Sequence, residues 1–146
     1  MRLQAFTYQM RLAQPFVISA ETQEVAHNAF VRLDSGDHWG LGEGVPSPRV
    51  TGKTLEDVLG FIAPQTKWLA NVEADSAFQM ANGMADSIQA GRLEGGPGPA
   101  SVDLALLDLA GRADGYSARE LLGLPLEASI PSSITVSLGP IEDMVA

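Results

Sequence analysis

The stretch ASVDLALLDLAGR, Ala100 to Arg112, decides how the rest of the chain must be arranged. It reads as a helix that is apolar almost all round, interrupted only by Ser101, Asp103 and Asp108. Such a helix cannot lie on a surface with one wetted face, so it must be enclosed by other elements. Asp103 and Asp108 stand about 140° apart around the helix axis. They do not converge on one metal ion, and hydrogen-bonding roles are expected of both.

The enclosing elements are visible upstream. Residues Arg2 to Leu12 read as a strand, with Leu3, Ala5 and Tyr8 among polar neighbours. EVAHNAFVRL, Glu24 to Leu33, is a stronger strand, because Val25, Phe30, Val31 and Leu33 suit a pleated surface. Asp34, Ser35 and Gly36 supply turn chemistry, and HWGLGEGV, His38 to Val45, follows as a third strand whose glycines mark bulges or close backbone approach. An antiparallel meander is expected.

After the loop VPSPRVTGKT, Val45 to Thr54, the apolar period lengthens to that of a helix. Thr54 is the expected N-cap, Asp57 favours the positive helix end, and Leu55, Val58, Leu59 and Ile62 form one stripe. This helix should reach about Ala70, kinked or divided at Pro64. A second helix is expected from an N-cap at Asp75 to Ala90, ending at Gly91. The cluster Gly95 to Pro99 reads as a breaker before the central helix.

Downstream, Ser117 to Leu122 reads as a short helix stopped by Gly123, and IPSSITVSL, Ile130 to Leu138, as a buried strand; Pro140 opens a further helix. The fold class is therefore α+β: a three-stranded antiparallel meander, a helical bundle, then one isolated strand.

Composition narrows function mainly by exclusion. The 146 residues fit one ordinary domain, and no apolar run approaches the roughly 20 residues of a membrane span. The polar and apolar residues mixed through Met1 to Phe16 do not make a signal peptide. Without cysteine there is neither disulfide framework nor thiolate site, and a cytoplasmic location is expected. A net charge of −9 with scattered basic residues opposes nucleic-acid binding. No Gly-x-Ser-x-Gly elbow is present, and Gly52-Lys53-Thr54 lacks the upstream glycine of a phosphate loop.

Three segments carry a family resemblance: PFVISAET (Pro15 to Thr22) with the strand and HWGLGEGVPSP after it; SVDLALLDLAGRADGYSARELLGLP (Ser101 to Pro125); and IPSSITVSL with its trailing PIEDM. Together they resemble the N-terminal capping domain of the enolase superfamily, in the mandelate racemase and muconate lactonizing branch, and most closely its dipeptide epimerases. The resemblance implies a cap over residues 1–125, and over residues 126–146 the first strand and the start of the first helix of a truncated (β/α) barrel.

In such enzymes Mg²⁺ and paired lysines on the barrel act on the proton next to a carboxylate. Lys53 and Lys67 are the only lysines here, both in cap segments, and no Lys-x-Lys is present. No catalytic or metal-ligating residue is assigned to this chain, and no Mg²⁺ is expected on it alone. It would be inactive by itself and would contribute substrate-specificity loops, around Ile18 to Gln23 and around Ser47 to Thr54. The resemblance thus points to Ile18, Arg49, Val50 and Thr51, with Thr135 on the first barrel strand, as substrate-binding residues for a dipeptide such as Ala-Glu. The guanidinium fork of Arg49 suits a carboxylate. Glu43 is read as scaffold, and His27 and His38 as ordinary solvated or satisfied histidines.

Two other readings stay open: the cap of a muconate cycloisomerase or o-succinylbenzoate synthase, and a stand-alone binding or structural module without a barrel. An unneighboured apolar strand at Ile130 to Leu138 would invite self-association.

Overall fold

The computed structural model describes residues 1–19, 21–125, 131–133 and 137–140. Three antiparallel strands, β1 (Arg2–Ile18), β2 (Glu21–Ser35) and β3 (His38–Gly44), form a sheet in that order. They are followed by α1 (Leu55–Leu69), a 3₁₀ turn at Ala74–Ser76, α2 (Ala77–Gln89), α3 (Pro97–Asp114) and the single-turn α4 (Ala118–Leu121). The sequence-derived meander and helical bundle are both present.

One face of the sheet closes the core. Leu3, Ala29, Val31 and Leu33 point toward the helices and meet Val58 and Ile62 of α1, Ala81 and Met84 of α2, and Val102, Ala105, Leu106 and Leu109 of α3. Full burial of each large aliphatic side chain, such as Leu33, Ile62 or Leu106, contributes about 1.5–3 kcal/mol. The composition of α3 now has its cause: it contacts β2, β3, α1, α2 and α4. Its one fully buried hydroxyl, Ser101, donates to the Gly98 carbonyl oxygen at 2.7 Å.

Close approach of α3 depends on β3. A Cβ at Gly42 would run into the Ser101 carbonyl oxygen and lie 2.7 Å from the Ala105 nitrogen; one at Gly44 would lie 2.5 Å from the Pro97 oxygen. Backbone therefore packs directly on backbone, a contact that side chains would prevent.

Several boundaries differ from those read in the sequence. β1 and β2 form a longer hairpin than expected, because pairing resumes beyond an irregularity between Arg11 and Phe16 with Phe16 opposite Gln23, Val17 opposite Thr22 and Ile18 opposite Glu21. The bulged segment contains Pro15, which cannot donate to a ladder. What reads as a loop from Ile18 to Gln23 is thus mostly strand. α3 starts at Pro97 instead of Ala100, since proline in a first helical turn forfeits only donors that have no partner there anyway. Asp75 lies within the 3₁₀ turn, and Ser76 is the cap of α2. Pro64 does not divide α1, which runs on to Leu69.

The loop before α1 is strongly self-bonded. Val50 and Thr51 nitrogens donate to the Ser47 oxygen at 3.1 and 2.8 Å, and the Gly52 nitrogen to the Pro48 oxygen at 3.1 Å. The Thr51 hydroxyl adds a 2.9 Å bond to the same Ser47 oxygen, and Ser47 bridges to Lys53. Gly52, at φ 70°, makes the turn possible. Thr54 and Asp57 then form a reciprocal capping box, with Asp57 N to Thr54 Oγ1 at 3.2 Å and Thr54 N to Asp57 Oδ2 at 2.7 Å. The domain boundary expected near residue 125 adjoins residues outside those described; of the strand expected over Ile130 to Leu138, residues 131–133, 137 and 138 are described and none of them is in a strand.

Candidate functional site

The far end of the β1–β2 hairpin extends past β3, whose last pair is Gly44 with Ala29, and there it meets the self-bonded loop. Between them lies a pocket of about 360 Å³. The hairpin contributes Phe16, Ile18, Glu21 and Gln23; the loop contributes Ser47, Arg49 and Val50. Three residues expected at a binding site, Ile18, Arg49 and Val50, are therefore brought together. Thr51 is not in the lining and instead braces the loop through Ser47. Thr135 lies outside the described residues.

The pocket combines exposure with fixed supports. Val50 is 81% exposed at the rim of the pocket, and Ile18 is half-buried. Arg49 and Glu21 are both exposed, and among the described residues neither side chain has an ion-pair or hydrogen-bond partner. Glu21 and Gln23 fall within the expected specificity loop Ile18 to Gln23 without being named as binding residues, and Phe16 lies just before it; the irregularity between Arg11 and Phe16 sets which of them flank Ile18.

The chain's tail reaches the same place. The Val17 nitrogen donates to Ser137 Oγ at 2.7 Å, the Leu138 nitrogen donates to the Val17 oxygen at 2.8 Å, and the Ser137 hydroxyl donates to the Pro15 oxygen at 3.2 Å. Ser137 and Leu138 thus run beside the outer edge of β1, next to the pocket residue Ile18.

Elsewhere several polar groups satisfy one another, although Asp34 Oδ2 is buried without a hydrogen-bond partner. Asn28 donates to Glu43 Oε1 at 2.7 Å. Asp108 accepts from the Leu41 nitrogen at 2.9 Å and from Arg112 Nε at 3.1 Å, tying α3 to the edge of β3. Arg112 and Arg32 sit 3.8 and 5.0 Å from the Trp39 ring centre. Trp39, Glu43, Asp108 and Arg112 border a groove of about 600 Å³ along β3 and α3, in which Arg112 pairs with Asp108 and Glu43 accepts from Asn28. Hydrogen bonding from Arg32, with its positive charge adding, holds the Asp34 carboxyl below its ordinary pKa. Burial alone pushes that of Asp103 up.

A model of the mandelate racemase / muconate lactonizing enzyme N-terminal domain matches residues 2–123. The chain belongs to this family. An enolase family member from Agrobacterium tumefaciens with homology to dipeptide epimerases, solved with bound sodium and L-Ala-L-Glu, is 28% identical over 97% of this chain and 40% of its own, with a TM-score of 0.71. A dipeptide epimerase from Methylococcus capsulatus, complexed with Mg and L-Arg-D-Lys, is 27% identical over 97% of this chain and 39% of its own, with a TM-score of 0.74. The dipeptide epimerase of Cytophaga hutchinsonii, complexed with Mg and D-Ala-L-Val, shares the fold at 22% identity and a TM-score of 0.75, over 97% of this chain and 38% of its own. The domain thus spans about 40% of the length of such relatives. No curated protein matches.

Magnesium in two of these relatives raises the question of where a metal would sit. Among the described residues no group of three or more potential ligands is placed to hold one, so the described part of this N-terminal domain does not fit a magnesium site. Nor is any described helix long and apolar enough to cross a membrane.

Proposed function

We propose that this N-terminal domain caps the active site of a magnesium-dependent dipeptide epimerase, supplying the surface that reads the substrate while the proton next to the carboxylate is moved by residues of a barrel. The observation that carries this is the meeting of the hairpin end and the loop of residues 45–54 around one pocket, with Ser137 and Leu138 bonded to the neighbouring backbone of Pro15 and Val17. Residues 130–138 read as the first barrel strand, and in (β/α) barrels the chemistry sits at the C-terminal ends of the strands. Ser137 and Leu138 would end that strand, and they bond to Val17, the neighbour of the pocket residue Ile18.

Each residue then has a task. Val50 and Ile18 cover the substrate and keep water from it, Arg49 offers a guanidinium to a carboxylate, and Thr51 holds the loop in shape. The bonds of Ser137 and Leu138 to β1 of the same chain favour this cap arrangement over self-association through the strand. They also favour it over a stand-alone module, for which that docking has no use. Muconate cycloisomerase and o-succinylbenzoate synthase caps are the rival enzymes.

The test uses a polypeptide carrying this domain and its barrel. It should epimerise dipeptides, seen as growth of the second diastereomer, and leave muconate and o-succinylbenzoate precursors unchanged. Val50→Gly should raise KM for dipeptides several-fold while circular dichroism stays the same. Turnover of either rival substrate with no action on dipeptides would reject the proposal.

A further inference from the structure

We infer that the pocket recognises a peptide that presents one cationic and one anionic side chain together, the cation at Glu21 and the carboxylate at Arg49. The inference rests on the dipeptide reading above and sharpens it, because a substrate with only an acidic side chain, such as Ala-Glu, uses half of what the pocket offers.

Both charged groups stand on rigid supports. Glu21 is the first residue of β2, paired across the ladder with Ile18. Arg49 belongs to the loop closed by the bonds onto Ser47 and Pro48. Opposite charges lining one small pocket would normally join as an ion pair if they served the fold. Here they do not: no pair within 4.0 Å forms between them, and among the described residues neither has any other partner. Lys53, on the same loop as Arg49, does find a partner in Glu94 at 2.9 Å, whereas Arg11 and Glu24 on the hairpin are exposed and, among the described residues, unpaired as well.

A ligand in this pocket meets both charges at once. Glu21 and Arg49 line the same pocket of about 360 Å³, and charges are screened over about 8 Å at physiological salt. A purely anionic side chain gains from Arg49 and loses to Glu21; a purely cationic one does the reverse. A ligand carrying both signs gains twice, and Phe16, Ile18 and Val50 provide apolar contact for the stems of the charged side chains. The carboxylate beside the reacting carbon belongs to the barrel in this reading, so the cap is left to read side chains. Discrimination then comes from repulsion as much as attraction.

The test is an amide-resolved NMR titration of the 146-residue chain with N-acetylated, C-amidated dipeptides, whose only charges are on side chains. Lys-Glu, or its reversed sequence, should shift the signals of residues 16–23 and 47–51 saturably. Lys-Ala and Ala-Glu should each bind about threefold more weakly, the scale of one exposed ion pair, and Ala-Ala more weakly again. Glu21→Gln should erase the preference for lysine and Arg49→Gln that for glutamate, and about 0.5 M salt should level all four peptides. Equal response to all four peptides, or no saturable response, overturns the inference.

The two levels fail separately. Charge-blind binding at these residues, alongside epimerisation by the barrel-bearing polypeptide, removes the charge inference and leaves the dipeptide reading. The expected charge pattern without epimerisation removes that reading and leaves an ambipolar peptide site.

Discussion

Replacing Gly42 with alanine adds one methyl group, and the structure specifies where it would go. The new Cβ would overlap the Ser101 carbonyl oxygen, sit 2.7 Å from the Ala105 nitrogen and lie 3.0 Å from the Ser101 carbonyl carbon. All three are backbone atoms of α3, so no side-chain rotation relieves the clash. The helix must withdraw from β3, loosening Val102, Ala105, Leu106 and Leu109, which are all fully buried. Overpacking costs about 1–3 kcal/mol where side chains can adjust. With a rigid helix as the obstacle we expect the upper end, about 3 kcal/mol, against a typical total of about 5–15 kcal/mol. For a chain of this size that is a fall in Tm of about 10 °C, together with a lower urea midpoint at unchanged m-value. Gly60 is the control: it is exposed within α1, and a Cβ there meets nothing within 4 Å. Gly60→Ala should therefore stabilise by up to about 1 kcal/mol. A Gly42→Ala variant whose Tm matches the parent would refute the argument that α3 packs directly on the β3 backbone.

Other substitutions probe separate parts of the account. Thr54→Ala removes the side-chain acceptor of the α1 capping box and should cost about 1 kcal/mol in urea unfolding, with faster amide exchange in the first turn of α1. Hydrogen bonds from the Thr54 side chain and backbone lower the Asp57 pKa, so its contribution is present above the ordinary aspartate range and disappears as pH falls through the lowered value. Asp57→Asn should accordingly flatten the acid limb of the stability profile; an unaltered limb would count against the capping role. Asp103 has the opposite sign: burial raises its pKa, so stability falls as pH rises through that raised value. Asp103→Asn should raise Tm at pH 7 and lose the gain in acid, and a loss of Tm at pH 7 would show that the charged carboxylate is needed. Trp39→Leu removes the ring flanked by Arg32 and Arg112 and should cost about 1–2 kcal/mol, with no change in peptide binding at the hairpin end.

The parts of the fold that could be read in the sequence are those where local chemistry and global packing agree. The all-round apolar pattern of α3 announced its central position, Thr54 and Asp57 announced the start of α1, and Gly36 announced the β2–β3 turn, where it adopts φ 56°. The misplaced boundaries lie where a local rule yields to a larger one. Pro97 and Pro99 look like breakers until they are seen to occupy a first helical turn, where missing N–H groups cost nothing. The strand after Pro15 is concealed because a bulge shifts the register, and alternation cannot be followed across it.

The site was legible only in part for a similar reason. Ile18 is far in sequence from Arg49 and Val50, and they converge because the hairpin extends past β3 to the loop. Thr51 carries the same polar signature as a ligand contact, yet its hydroxyl is consumed within the loop. Glu21 looks like one more charge on an acidic chain, and only the fold brings it into one pocket with an unpaired arginine. Ser137 offered no signal at all, since a hydroxyl that bonds the backbone of a strand 120 positions away has no local pattern.

The most direct test of the central claim is solvent-deuterium incorporation at the α-carbon of dipeptides, followed by proton NMR with magnesium present. The 146-residue chain alone should give none, and the same chain joined to its barrel should wash the α-proton out, most rapidly for dipeptides that carry side chains of both signs. Exchange catalysed by the isolated chain, or no exchange of any dipeptide by the joined polypeptide, would contradict the assignment of this domain as a substrate-reading cap.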